Sequence, residues 1–415
     1  TKFTVLSVGR VMTCVLGMVV RREREIRNFV KTPFYRVLGS FQATAKDGTP
    51  VLLDAEWKAV EGSKYFGTPY LYKENGFKER EKAEELIAYL KEEPPLEAKV
   101  LSKEKKKETK NPPLLYNLAE LQNDCSKMFK ISPDETLKVV QELYEKKLVT
   151  YPRTDARVLS TAVAKEIYKN INGLMRYEPM AGFAKEAMDL GSFKGIAKTR
   201  YVNDKQITDH YAIIPTGQGM GALKGLPNLS QRVYDVIVRR FLSIFYPPAV
   251  YQKVSIVTKI KEESFFSSFK VLAEEGYLKV TGVPGRKNDK NDNNDNNDNT
   301  DSSADSTEDK DTDAAFFARI QRLKKGMTLP VQSLDIKEGK TSPPKRYNSG
   351  SLILAMENAG QLIEDEELRA QIKGSGIGTS ATRGEILKKV VQHQIHGAQR
   401  KNAGHHADLS GRADL

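Results

Sequence analysis

The sequence predicts a multidomain protein that mixes α-helices and β-strands. Its 415 residues exceed what a single core usually organises and are enough for about three domains. Two blocks carry the alternating pattern of β-strands, 32–100 and 223–283, the second after an initial helix. Between them, residues 114–222 place apolar side chains mostly at helical spacing, so a helical domain is expected to interrupt a β domain.

The distribution of charge predicts a polyanionic partner. The net charge is +12, but residues 287–313 carry ten acidic side chains and three lysines, so the rest of the chain carries +19. Such an excess favours nucleic acid, because neutralising phosphates releases bound counterions. The acidic segment is of low complexity and is predicted to be a disordered loop, since its Asp–Asn repeat lacks the glycine and closing glutamate of an EF-hand.

Composition also bears on the compartment. No apolar run approaches 18 residues and no signal peptide is visible, which predicts a soluble, cytoplasmic protein with no membrane partner. Two cysteines, Cys14 and Cys125, exclude a disulfide framework and fit a reducing environment. Because Thr1 is not a methionine, we expect the chain to be processed or a fragment.

The first 110 residues combine a charged helix with β-strands. A helix is predicted from Cys14 to Asn28, and strands flank the hairpin signal Asp47-Gly48. A further helix is expected around 78–90. The basic run 103–110 is predicted to be a solvated connector that leads to a domain boundary.

The densest chemical signal is the segment 146–160, KKLVTYPRTDARVLS. A helix that begins at Pro133 behind the N-cap Ser132 is predicted to precede it. The β-favouring residues 148–151 follow, and Pro152 stops regular pairing directly after Tyr151.

Tyr151 is therefore predicted at the end of a strand, with Arg153 two residues further on. A phenol is a poor nucleophile unless cations favour its phenolate, and an arginine on an extended segment is placed to fork onto a phosphate. The alternative is a buried tyrosine followed by an ordinary surface turn. Spacing alone does not decide between the two.

Two further segments could contact phosphates. Glycine and arginine in SVGRVMT (7–13) stand before a helix, and the glycines of GSGIGTSATRGEIL (374–387) precede another, with Arg383 nearby. The second is not a Walker A loop, because no Gly-Lys-Ser/Thr follows. An ordinary loop before a surface helix is the alternative for the first.

His210, in DHYAIIPT (209–216), is the only histidine before residue 393. A lone histidine beside an apolar run is commonly structural. In a basic setting it can instead donate a hydrogen bond to a phosphate.

Four segments in one order resemble the motifs of type IA DNA topoisomerases, and within them the bacterial topoisomerase III branch. SVGRVMT resembles the family's S-x-G-R-V-Q-T segment, LVTYPRTDAR its active-site motif and DHYAIIPT its H-x-A-I-x-P-T motif. PPKRYNSGSLILAMENAG (343–360) together with GIGTSATR (376–383) resembles its P-P-x-R-[YF]…G-I-G-T-P-A-T-R block. The resemblance covers nearly all of residues 1–390.

The resemblance implies an enzyme that changes DNA topology without ATP. Tyr151 would attack a phosphodiester of single-stranded DNA and form a 5′-phosphotyrosyl bond, and a second strand would pass before resealing. Arg153 would position the scissile phosphate and stabilise its charge, and His210 would contact a neighbouring phosphate. The same motifs imply DNA contacts at Ser7, Val8, Gly9, Arg10, Val11, Met12, Asp155, Thr216, Arg346, Thr379 and Arg383.

The family's toroidal fold implies a domain plan. Residues 1–33 and 341–415 would build a helical DNA-groove domain. Residues 34–105 and 223–340 would form a β arch, and 106–222 the helical domain that carries the tyrosine. The expected partners are single-stranded or negatively supercoiled DNA and a separately encoded Toprim domain. The protein itself is expected to be a monomer that associates with the bacterial nucleoid.

The sequence departs from the family at its catalytic partner. The family begins with a Toprim domain, which supplies a general acid/base glutamate, an Asp-x-Asp pair for Mg²⁺ and a lysine. None of these motifs occurs in the 415 residues, since the one Asp-x-Asp candidate, Asp311-Thr312-Asp313, lies in the acidic segment. We therefore expect no metal ligands in this chain and no cleavage and resealing by the chain alone, although Mg²⁺ is expected for the intact enzyme.

Two further departures concern Met12 and the C-terminal tail. Met12 stands where the family has glutamine, which removes a hydrogen-bonding contact. Four of the five histidines fall within 393–406, where the apolar periodicity stops. Back-translated and read one base later, this stretch permits LFNIKYMALNVKTQVITPT, which continues the helix, so we hypothesise a frameshift that alters residues 391–415.

Two other functions compete with the enzyme. One is a non-catalytic module that binds single-stranded DNA, and the other is a decayed reading frame without a selected function. Tyrosine recombinases and relaxases also use a tyrosine on DNA, but the Arg-His-Arg set or histidine triad they require is not found before residue 390.

Overall fold

One β-sheet carries every strand of the described chain, and its six longest strands close into a barrel. The computed structural model describes residues 10–44, 50–283, 310–311, 314–362 and 376–390. The strands are β1 (Pro33–Thr44), β2 (Pro50–Lys58), β3 (Leu71–Lys73), β4 (Gly76–Phe77), β5 (Glu97–Lys110), β6 (Ala249–Ile260), β7 (Glu263–Glu274), β8 (Lys310–Asp311) and β9 (Thr328–Lys340).

Helices occupy both ends of the chain and its middle. They are α1 (Arg10–Asn28), α2 (Arg80–Leu90), α3 (Leu118–Phe129), α4 (Pro133–Glu145), α5 (Thr161–Leu174), α6 (Ala181–Leu190), α7 (Met220–Leu223), α8 (Asn228–Ser243), α9 (Leu278–Thr281), α10 (Ala314–Ile320), α11 (Ser349–Glu357) and α12 (383–390). Short 3₁₀ helices lie at Glu178–Met180, Ser192–Lys198, Asp204–Gln206 and Ala359–Leu362. No helix within the described ranges is long and apolar enough to span a bilayer.

The barrel is antiparallel throughout. Its strands follow the order β2-β7-β6-β5-β9-β1, and pairing of β1 with β2 closes the ring. β4 pairs with β1, β3 pairs with β4, and β8 adds to β7 in parallel. Closure leaves these six strands with no long free edge, which removes a template for aggregation.

A core of aromatic and aliphatic side chains fills the barrel. Trp57 stacks on Phe77 with ring centroids 4.9 Å apart, and α2 and α10 add apolar faces to the same core. The Trp57 indole Nε1–H donates to Glu263 Oε2 at 2.6 Å, and the Lys64 backbone N–H donates to Oε1 at 2.7 Å. Burial raises the pKa of Glu263, and these two donors satisfy the carboxyl group in an otherwise apolar region.

A second core is helical and lies around the tyrosine segment. It joins α3, α4, α5, α6 and α8 through fully buried residues such as Leu121, Val140, Ile167 and Ile237. The N-cap Ser132 accepts a hydrogen bond from the backbone N–H of Glu135, as predicted from Ser132-Pro133. A third, smaller core packs α1 against α3, α11 and α12.

The structure changes two sequence predictions. The basic run 103–110, expected as a solvated connector, is the second half of β5 and pairs with β6 along its length. Helix α8 and the turn α9 follow the predicted boundary at residue 222 but pack in the helical core. In both cases long-range partners, which a local pattern cannot show, decide the outcome.

Some predictions lie outside the described residues. They are the hairpin turn at Asp47-Gly48, the frameshifted tail 391–415 and most of the acidic segment. Within that segment Lys310 and Asp311 form β8 beside Phe269 and Lys270, where a disordered loop was expected.

Gly173 allows α5 to approach the chain that follows residue 216. A Cβ at Gly173 would lie 2.6 Å from the Gly217 Cα, and Gly217 itself has a φ of +76°. We expect Gly173→Ala to lower the free energy of unfolding by about 1–3 kcal/mol, because backbone must move to admit the methyl group. Urea denaturation followed by circular dichroism measures the change.

Gly182→Ala is the matched control for this substitution. Gly182 also lies in a helix, but a Cβ there meets no atom within 4 Å, so equal or greater stability is expected from the better helix former. Equal losses in the two variants would contradict the proposed close approach.

Candidate active site

Hydrogen bonds hold the tyrosine segment against a second segment, residues 209–216, which lies later in the chain. The backbone N–H of Thr150 donates to the Ile214 carbonyl at 3.0 Å, and the N–H of Ile214 donates to the Thr150 hydroxyl at 2.9 Å. The Thr216 N–H donates to the Leu148 carbonyl at 3.0 Å. Two of the predicted motifs, 148–157 and 209–216, are thereby joined directly.

This pairing is shorter than the predicted strand 148–151. It amounts to a single bridge, Val149 with Pro215, extended by hydrogen bonds through the Thr150 side chain. Pro215 has no N–H and Pro152 ends the opposite segment, so a regular ladder cannot continue. Tyr151 therefore follows a single bridge and precedes a bend, so the prediction of a regular strand over 148–151 is wrong.

Helix α4 delivers this segment through a left-handed turn. Lys147 has a φ of +63°, and the Leu148 N–H donates to the Leu143 carbonyl at 2.9 Å, which closes the helix end. The chain then reverses away from α4. Tyr144, in the last turn of the helix, is left facing Tyr151.

The Tyr151 ring lies between two other rings. Tyr144 packs edge-on with a centroid distance of 5.4 Å, and His210 is tilted at 4.3 Å. Tyr151 is half-buried, whereas His210 is exposed. The three rings lie in an open cleft of about 530 Å³ that is also lined by Lys147, Thr216 and Gln218. The structure therefore brings Tyr151, from one predicted motif, and His210 and Thr216, from another, to one cleft.

Arg153 is exposed in a tight turn after Pro152, which the Thr154 N–H closes by donating to the Pro152 carbonyl at 3.0 Å, and the Arg153 side chain forms no hydrogen bond or ion pair with any described residue. The next residue fixes the backbone beneath it, because the Thr154 hydroxyl donates to the His210 carbonyl at 2.9 Å. An exposed guanidinium on a fixed backbone is suited to receiving a phosphate from solution.

Asp155 and Arg383 form an ion pair that links two cores. Arg383 Nη1 donates to Asp155 Oδ1 at 2.9 Å, and the arginine side chain is only 4% exposed. Its remaining donors reach the Ile377 and Gly378 carbonyls. The guanidinium is thus occupied by protein groups. This burial argues against the predicted direct DNA contact of Arg383, while Asp155 keeps a half-exposed side chain.

Glu357 lies beside this pair. Its Oε1 accepts a hydrogen bond from Asn117 Nδ2 at 2.6 Å and lies 4.0 Å from Arg383 Nη1. Asn117 Nδ2 also donates to the Asp155 carbonyl at 3.1 Å. Burial raises the pKa of Glu357, against the lowering effect of Arg383. Sequence reasoning missed this role of Asn117 and Glu357, because Asn117 bonds to residues 38 and 240 positions further along the chain.

The other predicted DNA contacts fall near α1, α11 and α12. Arg346 is exposed and makes two hydrogen bonds to the Glu23 carboxylate, at 2.8 and 3.1 Å, which lower the pKa of Glu23. Thr379 is exposed before α12, where its carbonyl accepts the Arg383 N–H. Val11 is on α1 with 36% exposure, and Arg10 begins that helix. Ser7, Val8 and Gly9 lie outside the described residues.

Met12 requires a correction. Its side chain packs with Val15, Leu352 and Met356 in the third core and is only 9% exposed. A thioether in an apolar layer is not available to DNA. Its burial removes the basis for the predicted contact.

No metal site is apparent around Tyr151. The described part of the chain contains no group of three histidine, cysteine or acidic side chains placed to hold a metal ion. Glu145 is the only acidic residue that lines the cleft, and it accepts a hydrogen bond from Gln141. The Mg²⁺ implied by the family resemblance does not fit the residues described, and no chemical step is derived through it.

Sequence reasoning missed two aromatic residues of the cleft, Tyr144 and Tyr211. Tyr144 lies in the last turn of α4 and belongs to none of the predicted motifs. Its spacing of seven residues from Tyr151 becomes informative only when the helix is known to end in a reversal.

Comparisons with known proteins agree with these motifs. A family model described as DNA topoisomerase matches residues 1–403. The chain is 32% identical over 395 residues to DNA topoisomerase 3 of Bacillus licheniformis and 33% identical over 398 residues to that of Bacillus subtilis. Each match covers 94% of this chain and 48% of the relative, so the chain spans about half the length of the curated relatives it matches.

A solved structure supports the fold. Full-length topoisomerase I from Thermotoga maritima matches with a TM-score of 0.56 and 22% identity, over 94% of this chain and 52% of the other. The shared arrangement of helices and β-strands confirms the predicted mixed fold.

The ion pair of Arg383 provides a test of the link between cores. We expect Arg383→Met to lower the free energy of unfolding by about 3 kcal/mol, because Glu357 then stays buried without its cationic neighbour. Arg346→Met, which breaks an exposed pair with Glu23, should leave stability nearly unchanged. Chemical denaturation of both variants measures the difference, and equal small effects would show that Arg383 does not join the cores.

Proposed function

The chain belongs to the DNA topoisomerase family, and from this premise we propose that it carries the DNA-cleaving tyrosine of a type IA enzyme of the topoisomerase III kind. The observation that carries the proposal is the open cleft in which Tyr151 lies between Tyr144 and His210, two residues before the unpaired Arg153. Family membership alone does not assign these roles. The geometry supports them.

In the proposed reaction the Tyr151 Oη attacks a phosphorus atom in single-stranded DNA. The phenol gives up its proton as a bond forms between Oη and phosphorus. The bond from phosphorus to the 3′-oxygen breaks, and that oxygen takes up a proton and leaves as a 3′-hydroxyl, so no net proton is gained or lost. The product is a 5′-phosphotyrosyl bond. Resealing reverses the exchange, so one phosphoester replaces another and no ATP is required.

The roles of the neighbouring residues follow from charge and exposure. Arg153, exposed and unpaired among described residues, would fork onto the scissile phosphate and offset the charge that develops there. His210 would donate to an adjacent phosphate. Tyr144 and His210 would restrict the ring of Tyr151 so that its Oη faces the cleft.

Residues outside this sequence would have to complete the site. The acid/base group and the Mg²⁺ ligands that the resemblance assigns to a Toprim domain have no counterpart around Tyr151 among the described residues. We therefore propose that cleavage requires an added Toprim unit. The domain plan is proposed with α1, α11 and α12 as the DNA groove, the barrel as the arch and the helical core as the tyrosine domain.

We further propose single-stranded or negatively supercoiled DNA as the substrate. Association of a monomer with the nucleoid in the cytoplasm fits this proposal. The positive charge outside the acidic segment favours such a polyanion.

Covalent capture tests the proposed nucleophile. The 415-residue chain is mixed with a separately purified Toprim unit, Mg²⁺ and a single-stranded oligonucleotide labelled at its 3′ end, and is then denatured in SDS. A 5′-phosphotyrosyl bond retains the labelled fragment on the protein, so a labelled band is expected. Tyr151→Phe should abolish the band, whereas Tyr144→Phe should retain it.

The competing functions give different results in this assay. Binding of the oligonucleotide without capture would support the non-catalytic module, and neither binding nor capture would support a decayed reading frame. Capture that survives Tyr151→Phe would exclude Tyr151 as the nucleophile.

Arg153 is tested by the rate of capture. We expect Arg153→Gln to slow capture by ~10²–10³-fold, because the charge that develops on the phosphate loses its cation. Arg153→Lys should recover part of the rate, since it restores a point charge without the planar fork. Single-turnover time courses measure the rates, with oligonucleotide affinity measured in parallel. A loss confined to affinity would contradict a role in the reaction itself.

A further inference from the structure

One end of the barrel carries a concentration of positive charge that the proposed active site does not use. The segments 99–107 and 314–334 together contain nine lysines and arginines and one acidic residue, Glu104. The first is part of β5, and the second runs from α10 through a turn into β9. β5 pairs with β9, so the two segments are neighbours.

Hydrogen bonds fix the turn after α10 onto β5. Lys103 Nζ donates to the Gln321 carbonyl and, at 2.9 Å, to the Leu323 carbonyl. The Gly326 N–H donates to the Val100 carbonyl at 2.8 Å. The turn is therefore held in place by its backbone, and the side chains around it project from a fixed frame.

Six cations surround this frame, and we call them the basic rim: Lys105, Lys107, Arg319, Arg322, Lys324 and Lys325. All six are exposed, and none forms an ion pair within the described ranges. Lys105 Nζ has only a 3.4 Å contact with Gln321 Oε1. Some exposed cations elsewhere, such as Lys138 and Lys169, pair with carboxylates on their own helices, whereas others, such as Lys165 and Lys198, also lack an ion pair among the described residues. The rim is distinguished by the clustering of its cations.

The rim creates a local positive potential. Burial and, after it, the charge of Lys105 lower the pKa of Lys103. Crowded like charges disfavour the folded state unless a polyanion compensates them. Such a surface attracts phosphates more strongly than scattered cations do.

The composition of the rim selects among nucleic acids. The aromatic rings close to the rim are already engaged. Phe317 is buried, Phe316 packs against Phe269 at a centroid distance of 5.4 Å, and Lys270 Nζ lies 4.6 Å from the ring centroid of Tyr251, which pairs with Glu108. The rim therefore offers no free ring on which bases of a single strand could stack. Lysine and arginine side chains alone recognise the backbone of a duplex without regard to its sequence.

We propose that the basic rim binds the phosphate backbone of duplex DNA, at a surface built on the barrel core and separate from the Tyr151 cleft. The inference deepens the proposed function, since it rests on DNA as the partner and adds a second contact.

Duplex affinity as a function of salt tests the rim. All proteins carry Tyr151→Phe, which separates binding from cleavage, and a fluorescein-labelled 30-base-pair duplex is followed by anisotropy. We expect the variant Arg319→Gln/Arg322→Gln/Lys324→Gln/Lys325→Gln to bind ~10–100-fold more weakly near physiological salt, with a salt slope smaller by about 3–4, because four phosphate contacts are lost. In the double variant Lys324→Gln/Lys325→Gln, the decrease in the salt slope should be about half of that in the fourfold variant.

A matched control removes the same charge elsewhere. Arg80→Gln/Lys138→Gln/Lys169→Gln/Lys279→Gln neutralises four exposed cations that already pair with carboxylates and lie outside the proposed DNA groove, and duplex affinity should change less than about threefold. Thermal unfolding of each variant confirms that the fold is intact. An unchanged slope in the rim variant, or an equal loss in the control, would overturn the proposal.

The same experiment separates other partners from duplex DNA. Leu101 and Met327, 45% and 44% exposed beside the rim, make an anionic lipid surface the competing partner. Binding to phosphatidylserine vesicles that depends on the rim, with duplex binding unaffected, would therefore refute the inference. A single-stranded oligonucleotide that loses as much affinity as the duplex would refute the preference for a double strand.

Failure of the proposed function would look different. With Tyr151 restored, the rim variant should still be captured on a short single-stranded oligonucleotide. If capture fails even for the unaltered chain while duplex binding depends on the rim, the proposed nucleophile is wrong and the rim stands. If capture succeeds and the rim variant binds the duplex normally, the proposed nucleophile stands and the inference about the rim is wrong.

Discussion

The hydrogen bonds between the tyrosine segment and residues 210–216 are the constraint on which the site depends. They tie the backbone at Thr150 to that at Ile214, and the side chain of Thr154 to the carbonyl of His210. Because both segments are irregular and each contains a proline, neither would hold its shape alone. Paired, they fix Tyr151 against His210 and leave Arg153 exposed.

The arginines and lysines of this protein have two different roles, which depend on whether they are buried or exposed. Arg383 is buried, and its donors are consumed by Asp155 and by backbone carbonyls, which makes it a link between the helical core and the third core. Arg153 and the basic rim are exposed and carry no ion pairs within the described residues. The role of an arginine in a motif therefore cannot be read from the motif alone. A buried arginine stabilises the fold, whereas an exposed one is available to bind a phosphate.

The fold separates these tasks among cores. The barrel closes through β1 and β2 and supplies a rigid platform for the rim, whereas the helical core carries the tyrosine cleft. Met12 and Val15 belong to the third core, which joins the first helix to α11 and α12. That helix is therefore secured by apolar packing, and any DNA contact it makes must come from its other faces.

The sequence by itself determined the elements whose causes are local. Ser132-Pro133 specified the start of α4, periodic apolar residues specified α3 and α4, and four ordered motifs identified the family. Only the tertiary structure decided that residues 103–110 form a strand, that α8 joins the helical core, that Tyr144 faces Tyr151 and that Arg383 is buried. Each of these depends on partners far away in the chain, and such contacts form only when the cores assemble.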